Sequence, residues 1–208
     1  MTWGHTGAYP ELRGKRVLLR PLTVADFDAW REVRIRSREW LVKWEPRPIP
    51  GQPDAVADKR AFAARCSARL RERELGTGYG FGVFVDEHGR RFGGEINISS
   101  VQRGPFQNAY VGYWIDQALA GQSYIPEAFA VVCRFAFEDL MLHRLQASII
   151  PRNQASIRVA QKLGLRDEGV ALRYLEINGI WEDHVRYAIT AEDWVERRDR
   201  YMKEWLAP

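Results

Sequence analysis

Gly112-Tyr113-Trp114-Ile115-Asp116, followed three residues on by Ala120-Gly121-Gln122-Ser123-Tyr124-Ile125-Pro126-Glu127-Ala128, is the stretch on which the fold turns. The first piece reads as a strand, the middle as a small-residue turn, and a helix opens at Pro126. A helix N-terminus presents backbone N–H groups that have no partner within the helix, and its macrodipole favours negative charge. The turn therefore reads as a seat for a phosphate or pyrophosphate. Ser123 stands where such a turn most naturally carries glycine. If that position needs φ > 0, serine costs on the order of 1–2 kcal/mol, yet it keeps its N–H and adds a hydroxyl.

Upstream, residues 16–20 read as a first strand stopped by Pro21, and Thr23 with Asp26 starts a helix bearing Phe27, Trp30, Val33 and Arg34 at helical spacing. Segment 40–53 is a loop with four prolines, and a second helix covers 54–75. Strands follow at 79–85, 92–101 and 110–115, the first two joined by a turn at Glu87-His88-Gly89. After the Gly121 turn come a helix over 127–140, a strand over 145–150 and a short helix over 153–163 ended by Gly164. Strands 171–177 and 181–189 flank Asn178-Gly179, a strong hairpin signal. Thr190 with Asp193 starts a last helix carrying Trp194, Tyr201 and Trp205. That order predicts a mixed α/β (α+β) domain around a mostly antiparallel sheet. The unit strand 110–115, helix, strand 145–150 holds the glycine turn at its mouth, where such units bind ligands.

At 208 residues, 46% hydrophobic and 28% charged, the chain suits one folded domain, with a core over about 14–190 and a C-terminal helix over 191–205. The net charge of +4 is spread through interleaved Arg and Glu, which argues against direct nucleic-acid binding. Residues 1–12 contain Trp3, His5 and Pro10 but no apolar h-region, and no run reaches transmembrane length. Cys66 and Cys133 lie in helical patterns without metal spacing. They read as free thiols of a soluble, cytoplasmic protein that needs no metal.

Four segments then carry a family resemblance: Gly112 to Asp116; His143-Arg144; Pro151-Arg152-Asn153-Gln154-Ala155-Ser156 with Lys162-Leu163-Gly164-Leu165; and Tyr174-Leu175 through Asn178-Gly179, Trp181 and Asp183-His184 to Tyr187-Ala188. Their order and spacing resemble the GNAT acyl-CoA N-acetyltransferases, in the RimJ/RimL-like branch that acetylates ribosomal-protein alanines. The resemblance spans nearly the whole chain. It implies a sheet with a splayed central strand pair flanked by helices, and acetyl transfer from acetyl-CoA to an amine. Backbone groups of Gly121, Gln122, Ser123, Tyr124 and Ile125 would cradle the pyrophosphate. Tyr113, Trp114 and Ile115 would leave peptide groups for the pantetheine arm. Asn153 is an N-cap on its residues alone and, by resemblance, also a contact to that arm. Arg158 and Lys162 read either as solvated cations or as phosphate partners.

For catalysis the resemblance offers Ser156 as the acid, where its plain reading is a first-turn serine. Ala160 occupies the place of the tyrosine that many relatives use, and Tyr110 the place of a glutamate base. Glu95 and Asp183 remain as candidate bases among Glu95, Glu176, Glu182 and Asp183, each of which also reads as structural or surface. The acceptor groove is expected about Trp40, Trp44, Glu45 and Tyr174, with Glu45 able to pair with a cationic N-terminus. The acceptor is expected to be a protein N-terminus, such as that of a ribosomal protein, with a small amine or antibiotic as the near alternative. A non-catalytic acyl-CoA-binding protein is a further one, and an interaction protein using the aromatic stripe of the last helix is a third. Monomer and homodimer are both open, and no membrane association is expected.

Overall fold

The computed structural model describes residues 11–85 and 91–206; Trp3, His5, Pro10 and the turn at Glu87-His88-Gly89 lie outside them. Its strands are β1 (Leu12–Arg13), β2 (Val17–Arg20), β3 (Tyr79–Val85), β4 (Arg91–Gln102), β5 (Asn108–Ile115), β6 (Arg144–Ile149), β7 (Arg166–Ile177) and β8 (Ile180–Thr190). Its helices are α1 (Phe27–Arg36), α2 (Arg38–Leu41), α3 (Lys59–Glu74), α4 (Tyr124–Arg134), α5 (Gln154–Leu163) and α6 (Ala191–Glu204). The strands form one eight-stranded sheet in the order β1-β2-β3-β4-β5-β6-β8-β7. Every pairing is antiparallel except β5 with β6. Those two strands are joined through α4, the kind of crossover that parallel neighbours require.

The local signals act as their chemistry dictates. Asn178 and Gly179 both take positive φ, 47° and 84°, as a two-residue hairpin of the primed type needs. Gly164 ends α5 at φ 69°. Thr190 and Asp193 exchange hydrogen bonds as a capping box at the start of α6.

Elsewhere the chain departs from the pattern. α3 starts at Lys59 rather than 54, because the Asp58 side chain caps it while Asp54 accepts from the Val56 N–H in a turn of its own. The loop from 40 onward begins inside α2 and a 3-10 turn, Val42–Trp44. α4 opens at Tyr124, so Pro126 falls inside the first turn, where a missing N–H costs nothing. It passes into a π-turn at Phe135–Asp139 instead of running on as α-helix. β7 begins at Arg166 and reaches its partner through two irregularities in register.

α4 is the core's axis. Residues 125–133 are all buried, as in a helix covered on every side. Phe129, Val131 and Val132 each contribute roughly 1.5–3 kcal/mol by leaving water. The sheet, α4, α5 and α6 share one cluster, in which Trp194 and Tyr201 are core residues. The aromatic stripe of the last helix thus packs on the domain, with Trp205 partly buried against the same cluster. A second cluster, with Trp30, Phe62, Phe84 and Phe92, seats α1 and α3 over β2–β4 on the other face. Cys133 is buried, which pushes its thiol up, and Cys66 is half-buried; both are free. Among the described residues no helix is long and apolar enough to cross a membrane.

Candidate active site

β5 and β6 pair only over Asn108, Ala109 and Tyr110 against Arg144, Leu145 and Gln146. Beyond that β5 stays bonded to β4 as far as Ile115, and β6 to β8 as far as Ile149. Each strand therefore turns one row of peptide groups toward a widening gap. Unpaired peptide groups demand a partner when buried, and an amide-bearing chain is a ligand that fits such a gap. A cavity of about 960 Å³ opens along the free stretch of β5, from Gly112 to Ile115. Its walls come from both faces of the sheet: α1, α2 and α3 on one side, the start of α4 and α5 on the other.

On the α4 side, Gly121, Ser123, Tyr124 and Ile125 line the cavity together with Asn153, Ser156, Arg158 and Lys162 of the α5 segment. Tyr113, Trp114 and Ile115 of β5 line it as well. Gly121 and Ser123 take φ 80° and 65°, so the position that favours glycine is indeed left-handed. Gln122 is the exception. It is not part of the lining; its side chain donates to the Ala118 carbonyl and its own carbonyl accepts from Arg16. Behind the turn, the buried carboxylate of Glu127 takes the backbone N–H groups of Arg16 and Val17 and the Arg16 guanidinium, so the turn is anchored to β2. Asn153 caps α5 by accepting from the Ser156 N–H at 3.2 Å. The Tyr113 hydroxyl donates to the Ser156 carbonyl at 3.5 Å, and burial pushes it up to about 12. Ala160 is in the core and outside the lining.

Across the gap, Trp40, Trp44, Glu45 and Glu95 line the cavity. Glu95 is 3% exposed. The Trp30 indole donates to it at 2.7 Å, and Arg65 pairs with its other oxygen. Glu45 is engaged by both terminal nitrogens of Arg34, and the Arg34 guanidinium lies 5.0 Å from the Trp114 ring centre. The carboxylate expected to meet a cationic acceptor thus already holds a cation of its own. Lys43 lies against Trp40 and Trp44, and Arg152 against Trp44. The hairpin tip closes on this segment: the Asn178 N–H donates to the Glu45 carbonyl at 2.9 Å.

Besides Gln122, two expected residues fall outside the cavity. Asp183 accepts from the Arg173 N–H at 2.7 Å, fixing an irregular stretch of β7. Tyr174 turns to Tyr110, and that hydrogen bond, with burial, raises its hydroxyl above the usual range. The sequence reading missed Arg65, Arg69 and Asn97, which line the cavity from α3 and β4. The Asn97 side-chain oxygen is buried without a partner.

The Acetyltransferase (GNAT) domain description matches residues 16–166. The chain belongs to the GNAT acetyltransferase family. Among its GNAT relatives is the [Ribosomal protein uS5]-alanine N-acetyltransferase of Escherichia coli, 31% identical over 94% of this chain and all of that one. Another is a probable N-acetyltransferase of Bacillus subtilis, YjcK, 33% identical over 88% of this chain and 98% of its own. Among solved GNAT structures, Mycobacterium smegmatis RimJ in complex with CoA-disulfide superposes with a TM-score of 0.82 at 30% identity, covering 94% of this chain and 92% of that one. The chain is therefore an acetyl-CoA-dependent N-acetyltransferase of the RimJ/RimL type. The gap between β5 and β6, the uncovered N-terminus of α4 and the cations of α5 fit acetyl-CoA on chemical grounds.

Proposed function

We propose that this enzyme acetylates the N-terminal α-amine of a protein, a ribosomal protein being the acceptor class, by direct attack of the amine in a ternary complex. The observation that carries this reading is the cavity walled from both faces of the sheet, which lets two reactants meet across the gap. Kinship to a uS5-alanine N-acetyltransferase over nearly the whole chain supports the acceptor class. A ribosomal acceptor places the reaction in the cytoplasm.

Acetyl-CoA supplies an acyl group activated as a thioester. Backbone N–H groups of the turn at residues 121–125 hold the pyrophosphate, with Arg158 and Lys162 meeting phosphate charge. Asn153 and the free edge at Tyr113, Trp114 and Ile115 hold the amide-bearing arm. Ser156 is the proton donor to the departing sulfur. Glu95 receives the amine's proton through a water: Arg65 and Trp30 fix its orientation and leave lone pairs on both oxygens. Trp40 and Trp44 flank the acceptor, while Glu45 acts at one remove by holding Arg34.

Acid–base economy favours the α-amine. With a pKa near ~8, roughly a tenth of α-amines are neutral at pH 7, against well under a thousandth of lysines near ~10.4. A site whose one lining carboxylate candidate is already ion-paired suits the acceptor that needs least deprotonation. A peptide-library acetylation assay with mass-spectrometric readout tests the reading, with N-terminally blocked, lysine-containing peptides and small amines as competitors. Acetyl on the α-amine is expected; acetyl found only on lysine side chains or on small amines overturns it.

A further inference from the structure

Ser123 is a helix N-cap that does not cap. A serine in that position ordinarily takes an extended backbone and accepts a hydrogen bond from an N–H in the first turn. Here the backbone is left-handed, φ 65° and ψ 19°, and the side chain makes no cap bond. Two consequences follow for the ligand side of α4. The N–H groups of Tyr124 and Ile125 are left uncovered by their own serine, while Pro126 contributes none. The hydroxyl is turned instead to Lys162, whose ammonium donates to Ser123 Oγ at 2.7 Å. Both residues border the cavity.

An ammonium has donors and no acceptor. In that bond Ser123 Oγ is therefore the acceptor, and the serine's own hydrogen rotates toward another partner. A hydroxyl that accepts from a cation is polarised and donates more strongly. Next to two uncovered N–H groups at the positive end of a helix, the partner it matches is an anionic oxygen.

We propose that Lys162 and Ser123 form a donor relay to a CoA phosphate, ammonium to hydroxyl and hydroxyl to phosphate oxygen. The proposal rests on the placement of the pyrophosphate at this turn. Serine is then a phosphate-reading residue in its own right, and it discriminates CoA from pantetheine thioesters that lack phosphate.

Three variants test it: Ser123→Gly, Lys162→Met and the double substitution. Each is titrated calorimetrically with CoA and with pantetheine, beside thermal unfolding of the unliganded protein. Glycine accepts φ 65° without steric cost, so Ser123→Gly keeps or raises the melting temperature. It nonetheless weakens CoA about tenfold and lowers the CoA-to-pantetheine affinity ratio by the same factor. Adding Lys162→Met to that variant costs much less than Lys162→Met alone, because the two residues act as one chain. If Ser123→Gly binds CoA as tightly as the parent while Lys162→Met does not, the relay is overturned and the phosphate placement stands. Equal losses on CoA and pantetheine also overturn the relay. Unchanged CoA binding in all three variants overturns the relay, whereas a parent protein that binds CoA no more tightly than pantetheine overturns the placement.

Discussion

Ser156 borders the cavity at the first turn of α5, beside the cap made by Asn153 and under the Tyr113 hydroxyl. If it gives the proton to sulfur, Ser156→Ala lowers kcat roughly a hundredfold while CoA affinity measured by calorimetry changes little. Parallel loss of both would make it a binding residue alone. At this scale the sequence was readable where a residue acts within its own segment. Asn153 as a cap and Ser123 as a left-handed turn residue are local facts, set by backbone chemistry a few residues wide. It was unreadable where a partner comes from afar. Glu45 looked available because nothing near it announces Arg34, eleven residues upstream on α1. Asp183 looked like a candidate base because strand alternation does not reveal that the irregular β7 backbone claims its carboxylate. Arg65 and Asn97 had no signature at all. Arg65 reaches the site because α3 packs on β3, and Asn97 because β4 sets it opposite Gly112 of β5.

The β7–β8 hairpin is the element that couples sheet to acceptor segment. Its tip is pinned by one backbone hydrogen bond to Glu45 and by the packing of Arg47 on Gly179. A Cβ at Gly179 would run into the Arg47 guanidinium, the far end of a flexible side chain, and φ 84° is a conformation that an L side chain adopts only under strain. Gly179→Ala is therefore expected to displace Arg47 and strain the turn, loosening its hold on the segment with Trp40 and Trp44. Steady-state kinetics should show KM for a peptide acceptor rising several-fold with KM for acetyl-CoA near the parent value, and denaturant unfolding should show a loss of about 1 kcal/mol. Equal rises in both constants would mean that the tip does not serve the acceptor side. The hairpin itself was plain in the sequence, since Asn-Gly between alternating strands selects its turn. Its docking was not, because Arg47 sits in a proline-containing loop whose path no periodicity describes. The same limit explains the helix ends: Asp54 and Asp58 are both plausible caps, and only the folded turn at Val56 decides between them.

At the scale of the molecule, the end of β5 is fastened to the end of α1. Asp116, fully buried, takes hydrogen bonds from Arg36, from the Ser37 hydroxyl and from the Ala118 N–H. Burial alone would raise its carboxyl, but the bonds from Arg36 and the Ala118 N–H hold it below the usual carboxylate range. A folded-state value below the unfolded one means that the contribution is complete above the unfolded pKa of ~3.9 and is lost as pH falls through the folded value. Asp116→Asn should cost about 1–3 kcal/mol at neutral pH and flatten the acid limb of the stability profile. An unaltered acid limb would assign that limb to other carboxylates. The order of strands and helices, and with it the family, was legible because each element announces itself locally. The two-sided character of the cavity was not, since it depends on how far β5 and β6 stay paired. That short pairing has a consequence for traffic. Reactants that dock from opposite faces of a sheet do not share a doorway, so on the proposed reading a fresh acceptor need not wait for the departing carrier to clear its path.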